Sequence, residues 1–348
     1  MSVSDDSTSS GGQSVSIHAA GKQPPEVPRP AIQVEGLTRW FSGVKAVDGI
    51  SFRIESGSVV GFVGANGAGK TTTMRILATL DYPNEGTARV GGVDVVEYPA
   101  EVRKKIGWMP DHYGTYRNMT VLEYLDFFAR ALGYRGQERV DRITEVMEFT
   151  DLTPLAERLS DTLSKGMGQR LCLGRALLHD PEVLILDEPA AGLDPKARVE
   201  LKHLIRILAE EGKTVFISSH ILSELGEMCD SLLFINQGKI IHHGTAESLR
   251  KGKGSSGACL VSVELGKEPE KLQEWADLSP HVKFIDTTQK GGRIEIDTVD
   301  NEVVSGVLRR MIKDGLEVTD FHQEERKLED AFIEILGELE SSNGNEAP

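Results

Sequence analysis

Residues Gly64, Ala65, Asn66, Gly67, Ala68, Gly69, Lys70 and Thr71 constrain this chain more than any other stretch. They follow the apolar run Val59 to Val63 and precede Met74, Leu77 and Leu80 at helical spacing, so strand, glycine-rich loop and helix succeed one another. Glycines let successive backbone N–H groups turn inward at a helix N-terminus, which forms a cradle for phosphate oxygens. Lys70 then brings a positive charge to the β and γ phosphates, and the Thr71 hydroxyl is a candidate Mg²⁺ ligand. Gly64 to Gly69, Lys70, Thr71 and Thr72 are the candidate nucleotide contacts, with ATP as the nucleotide. A second apolar run, Val183 to Leu186, delivers Asp187 and Glu188 at its C-terminal end, where open α/β sheets bind ligands. Asp187 fits a Mg²⁺ ligand, direct or through water, and Glu188 fits a general base that polarises an attacking water.

Around these motifs, short apolar runs alternate with helical patterns from Ile32 onward, which predicts an α/β domain with a largely parallel sheet over residues 31–250. Thr214 to Ser218 is a further strand. Thr120 with Glu123 reads as a capping box, and Asp194 before Pro195 as an N-cap with proline at the first helical position. Residues 1–30, rich in Ser, Gly and Pro, read as a disordered tail, and Lys251 to Gly257 as a linker. Beyond it, residues 258–340 carry the order βαββαβ plus a terminal helix from Leu328, compatible with a small ferredoxin-like α+β domain, and 341–348 form a polar tail.

The formal charge of −15 lacks the clustered basic footprint that phosphodiester binding requires, so nucleic acid is excluded as a partner. Cys172, Cys229 and Cys259 are odd in number and far apart, which fits a reducing cytoplasmic setting and no metal or disulfide framework. No apolar run reaches the roughly 18 to 20 residues of a membrane span.

Between the two nucleotide motifs stands Leu163, Ser164, Lys165, Gly166, Met167, Gly168, Gln169, Arg170, which resembles the signature motif of the ABC ATPase family. Ser164 and Gly166 match it; Lys165 and Met167 depart from its commonest form and are similar to the branch serving two-component exporters. The resemblance covers about residues 32–245. It implies a P-loop NTPase fold and a dimer in which Ser164 and Gly166 of one subunit meet the γ-phosphate held by another. It also implies a D-loop at Pro189 to Pro195 with Asp194 at the dimer seam, a switch histidine at His220, and adenine stacking on Phe41, with Trp40 the competitor. At the position where the family usually carries a glutamine, this chain has Asp111, whose carboxylate accepts but cannot donate hydrogen bonds. Asp111 is accordingly a third candidate at the metal, beside Thr71 and Asp187. The implied partners are a homodimer mate, or a paired nucleotide-binding subunit, and a separate transmembrane permease through which this chain contacts the membrane at its cytoplasmic face. Leu328 to Phe332 resembles the exporter branch's C-terminal segment. The alternative reading is a non-transport ABC ATPase that acts as a mechanical switch or nucleotide sensor on a soluble complex.

Overall fold

The computed structural model describes residues 29–112, 114, 116–251, 259–298, 300–324, 328–329 and 332–333. Residues 1–28, Gly252 to Gly257 of the predicted linker, and Ser341 to Pro348 lie outside the described residues. The first strands are β1 (Ile32–Phe41), β2 (Val44–Ile54) and β3 (Val59–Val63), followed by helix α1 (Lys70–Leu77). Next come β4 (Glu85–Val90), β5 (Val93–Asp94), α2 (Pro99–Lys105), β6 (Ile106–Met109), α3 (Val121–Ala131), α4 (Gly136–Phe149) and α5 (Lys165–Leu177). After these follow β7 (Val183–Leu186), α6 (Pro195–Glu210), β8 (Thr214–Ser219), α7 (Leu222–Gly226), β9 (Ser231–Asn236), β10 (Lys239–Gly244) and α8 (Ala246–Lys251).

A six-stranded sheet in the order β10-β9-β3-β8-β7-β6 forms the centre. Five of its strands are parallel neighbours and β10 closes one edge antiparallel to β9. Every residue of β3, β7 and β8 is buried, which is why these strands read as unbroken apolar runs instead of alternating ones. A smaller antiparallel sheet, β2-β1-β4-β5, packs with α1 on one face of the large sheet. Phe52 lies 5.8 Å from Phe216, which stacks on Phe62 at 5.1 Å, and these rings seal that contact. On the opposite face, α3 to α7 enclose a second core that includes Tyr124, Leu171, Cys172, Leu184 and Ile217. Burial pushes the Cys172 thiol up to about 11, as befits a packing residue.

The predicted caps form. Thr120 Oγ1 accepts the Glu123 N–H at 3.2 Å while the Glu123 carboxylate accepts the Thr120 N–H at 2.8 Å. Asp194 accepts the Ala197 N–H at 2.9 Å and opens α6.

Residues 259–323 form a third sheet from β11 (Cys259–Leu265), β12 (Val282–Thr288), β13 (Gly291–Ile296) and β14 (Val318–Gln323), with helices α9 (Lys271–Asp277) and α10 (Asn301–Lys313). Its order, β12-β13-β11-β14, is antiparallel throughout, the arrangement of a ferredoxin-like βαββαβ unit. It has its own core around Val261, Leu272, Trp275, Ile294 and Met311. Leu328 and Phe332 pack instead on the core of the first unit, with the Phe332 ring 5.0 Å from Phe234. His242 and His243 lie on the edge strand β10, and among the described residues no cluster of three or more His, Cys, Asp or Glu is arranged to hold a metal alone. No helix of the described residues is long and apolar enough to cross a membrane.

Candidate nucleotide site

The loop after β3 is held in a conformation that only particular residues allow. Gly69 has φ +112°, and a Cβ there would lie 2.5 Å from the Ala46 carbonyl oxygen. A Cβ on Gly64 would lie 2.4 Å from the Ile235 carbonyl oxygen. The loop is therefore pressed between β2 and the β9–β10 hairpin, whose Gly238 N–H donates to Ala68 O at 2.9 Å. α1 starts directly at Lys70, so the N–H groups of its first turn face the same loop.

Lys70 is 5 % exposed. Its ammonium donates to Gly64 O at 2.7 Å and Ala65 O at 3.3 Å, and stands 3.3 Å from Glu188 Oε1. The other carboxylate oxygen of Glu188 lies 2.8 Å from His220 Nδ1. With a carboxylate that can only accept, this bond requires the imidazole tautomer that carries its proton on Nδ1. Lys70 at the start of α1, with Glu188 and His220 just past the ends of β7 and β8, thus form one continuous polar line. Glu188 sits at φ +49°, a left-handed backbone conformation that costs a non-glycine residue free energy and that clusters at functional sites.

Asp187 is almost fully buried and accepts from Ser218 Oγ at 2.7 Å. Burial raises its carboxyl above the usual carboxylate range; the Glu188 and Asp111 charges push the same way, while hydrogen bonds from Ser218 and Thr71 oppose them. Thr71, Asp187 and Asp111 therefore share one neighbourhood. Asp111 also meets His112 Nδ1 at 2.9 Å. An all-oxygen donor set beneath a phosphate cradle suits Mg²⁺, which takes one or two protein oxygens and fills its octahedron with phosphates and waters.

Ser218 is the residue that sequence reasoning passed over. Fully buried, it donates to Asp187 and accepts the Glu188 N–H at 2.8 Å, so one hydroxyl fixes both acidic residues. The only signal for it was a serine pair ending an otherwise apolar strand.

The remaining candidates lie apart from this line. Ser164 caps α5, accepting the Met167 N–H at 3.4 Å, and Gly166 faces Ala197 and Leu193 at the start of α6. Among the described residues no hydrogen bond or ion pair joins the Ser164 segment to Gly64–Thr72. Phe41 and Trp40 end β1, both part exposed. The Arg39 guanidinium lies 4.3 Å from the centre of the Phe41 ring, and the Trp40 N–H donates to Asn84.

Comparison with known proteins gives a consistent set. The ABC transporter family matches residues 47–191. The chain is 33% identical over 313 residues to the daunorubicin/doxorubicin resistance ATP-binding protein DrrA of Streptomyces peucetius, covering 89% of this chain and 93% of that one. It is 40% identical over 213 residues to the ABC transporter ATP-binding protein NatA of Bacillus subtilis, covering 61% and 87% respectively. The bacitracin transport ATP-binding protein BcrA of Bacillus licheniformis is 33% identical over 88% of this chain and 97% of its own length. Among solved structures, an ATP-binding subunit of an ABC transporter superposes with TM-score 0.58 at 27% identity, over 64% of this chain and 92% of that one.

Proposed function

Since the chain belongs to the ATP-binding subunits of ABC transporters, we propose that it hydrolyses ATP to energise an exporter whose transmembrane permease is a separate polypeptide. The observation that carries this reading is the polar line Lys70–Glu188–His220 laid across the mouth of a glycine cradle. Lys70 binds the β and γ phosphates with the N–H groups of Gly64 to Thr72, exchanging the Gly64 and Ala65 carbonyls for phosphate oxygens. Thr71 and Asp187 would hold Mg²⁺, with Asp111 reaching it or its water, and the ion would supply neutralisation of phosphate charge when bound. Glu188 orients and polarises the water that attacks the γ-phosphorus in line, and His220 holds the carboxylate and contacts the γ-phosphate. The reaction needs no covalent intermediate on the protein, because positioning and electrostatics supply the acceleration.

Ser164 and Gly166 have no bond to the cradle of their own chain, which supports their use on the nucleotide of a second copy. ATP then closes a homodimer and hydrolysis reopens it. Phe41 is the proposed adenine platform: Arg39 covers one face of its ring and leaves the other for the base. Residues 31–250 form the nucleotide domain and residues 259–323 a smaller accessory domain, after which Leu328 and Phe332 return to the core of the nucleotide domain. The dimer works at the cytoplasmic face of the membrane, in contact with the permease and not with lipid.

Capture of full-length Glu188→Gln protein from detergent-solubilised membranes with ATP present tests the assignment. A multi-spanning membrane protein co-purifying with it is the expected result. A reproducible soluble partner with no membrane protein would replace the transporter reading with the mechanical-switch one.

Asp111 yields a separate prediction. Its negative charge acts on Asp187, so the neutral Asp111→Gln should ease ionisation of Asp187 and leave a side chain that can both donate and accept. Titrations of ATPase rate against Mg²⁺ should shift in Asp111→Gln and weaken severalfold in Asp111→Ala. Unchanged rate and Mg²⁺ dependence in both would remove Asp111 from the site.

A further inference from the structure

An ion pair between a nearly buried carboxylate and a half-buried guanidinium lies outside the catalytic line yet touches both segments that frame it. Glu224, 7 % exposed, projects from α7, the short helix that begins two residues after His220. Arg198, on the first turn of α6, pairs with Glu224 at 2.8 Å through Nη1 and donates through Nη2 to the Leu193 carbonyl at 3.1 Å. Leu193 immediately precedes Asp194, the cap of α6, in the segment that the dimer reading puts at the seam. One guanidinium therefore grips the seam loop with one nitrogen and the helix after His220 with another.

Two features separate this pair from ordinary packing. With Glu224 buried and Arg198 32% exposed, the pair carries desolvation cost on one side and solvent screening on the other, so its net contribution to stability is small. The space beside it is also incompletely filled: a cavity of ≈ 10 Å³ lies among Pro189, Ile217, Glu224 and Met228, room for about one water. Leu201 and Ile205 of α6 share the core with Leu222 and Leu225 of α7, and the ion pair adds a directional polar link at the end of that contact nearest the site. The rigid fork of arginine suits two acceptors at a fixed separation in a way that lysine cannot reproduce.

We propose that Arg198 and Glu224 are positioning residues that transmit the placement of the seam loop to His220, and thereby set the Glu188 carboxylate for hydrolysis when a second copy closes on the nucleotide. The link runs from Leu193 O through Arg198 and Glu224 to α7, and then from His220 to Glu188 over 2.8 Å. This inference rests on the reading of Glu188 as the base. A neighbouring bridge provides the control: Lys202 of α6 meets Glu227, just beyond α7, at 2.8 Å, but Glu227 is 75 % exposed and such a pair contributes little.

The test is steady-state ATPase of the full chain with Glu224→Gln, Arg198→Lys, the double variant and Glu227→Gln, beside direct titration of a fluorescent ATP analogue. Glu224→Gln and Arg198→Lys should each lower kcat roughly tenfold to a hundredfold, the scale of a small misplacement of reacting groups. KM and nucleotide affinity should stay within about twofold, the double variant should be no slower than the worse single one, and Glu227→Gln should match the parent. The proposal is overturned by parental kcat in Glu224→Gln and Arg198→Lys, by losses that multiply in the double variant, by nucleotide affinity falling in step with kcat, or by an equal loss in Glu227→Gln. Glu188→Gln assayed alongside separates the two claims. Near-parental turnover there would bring down the base assignment and this inference together, whereas an inactive Glu188→Gln beside an active Glu224→Gln brings down this inference alone.

Discussion

Glu188→Gln should bind ATP as the parent does and turn it over about a thousandfold more slowly, within the 10²–10⁴ range that a positioned general base contributes. The amide fits the same space: its oxygen can face Lys70 while its NH₂ donates to His220 Nδ1 in the other imidazole tautomer, so the cradle keeps its shape. What it loses is the charge that polarises water and the ability to take a proton. Ser218 continues to hold the backbone of residue 188, because that bond involves the main-chain N–H. Single-turnover phosphate release is the decisive assay, since it excludes slow product release as the cause. A single-turnover rate within tenfold of the parent would mean that another group activates the water.

The second large effect is at Lys70. Lys70→Ala should weaken ATP binding by about two orders of magnitude, equivalent to ~3 kcal/mol for lost charge-assisted hydrogen bonds. It should also destabilise the nucleotide-free chain by about 1–3 kcal/mol, because Glu188 Oε1 is buried with no hydrogen-bond partner and depends on the ammonium 3.3 Å away. The double variant Lys70→Ala, Glu188→Gln separates these contributions. Thermal stability should recover with the neutral amide while ATP affinity stays low. Calorimetric titration and thermal unfolding read the two quantities independently; recovery of affinity with stability would show that Lys70 acts on the fold and not on phosphate.

Much of this was legible in the chain because its signals are local. Val59–Val63 and Val183–Leu186 form strands with the bounds the apolar runs indicate, and the Thr120 capping box and Asp194 cap form as their spacing predicts. The βαββαβ order beyond residue 258 was equally readable from turns and alternation. Other ends moved by a residue or two, and Lys251 closes α8 where composition suggested the start of a linker. What escaped was pairing across distance. Ser218 bonds to Asp187 over 31 positions, and nothing in the spacing of either residue announces the other. Arg198 and Glu224 escaped for the same reason, since each alone reads as a charged residue on a helix surface. The aromatic pair at the end of β1 is a different case. Alternation assigns Trp40 and Phe41 to opposite faces but cannot say which meets a ligand, and the Arg39 guanidinium over Phe41 is a tertiary contact.

The central claim is that ATP joins two copies of this chain, each completing the other's site with Ser164. Sedimentation of Glu188→Gln, alone and combined with Ser164→Glu, measures this directly. Glu188→Gln should run as a monomer without nucleotide or with ADP and as a dimer with ATP, while the Ser164→Glu combination should bind ATP yet stay monomeric. A monomer in every nucleotide state, or an ATP-induced dimer indifferent to Ser164→Glu, would contradict the account.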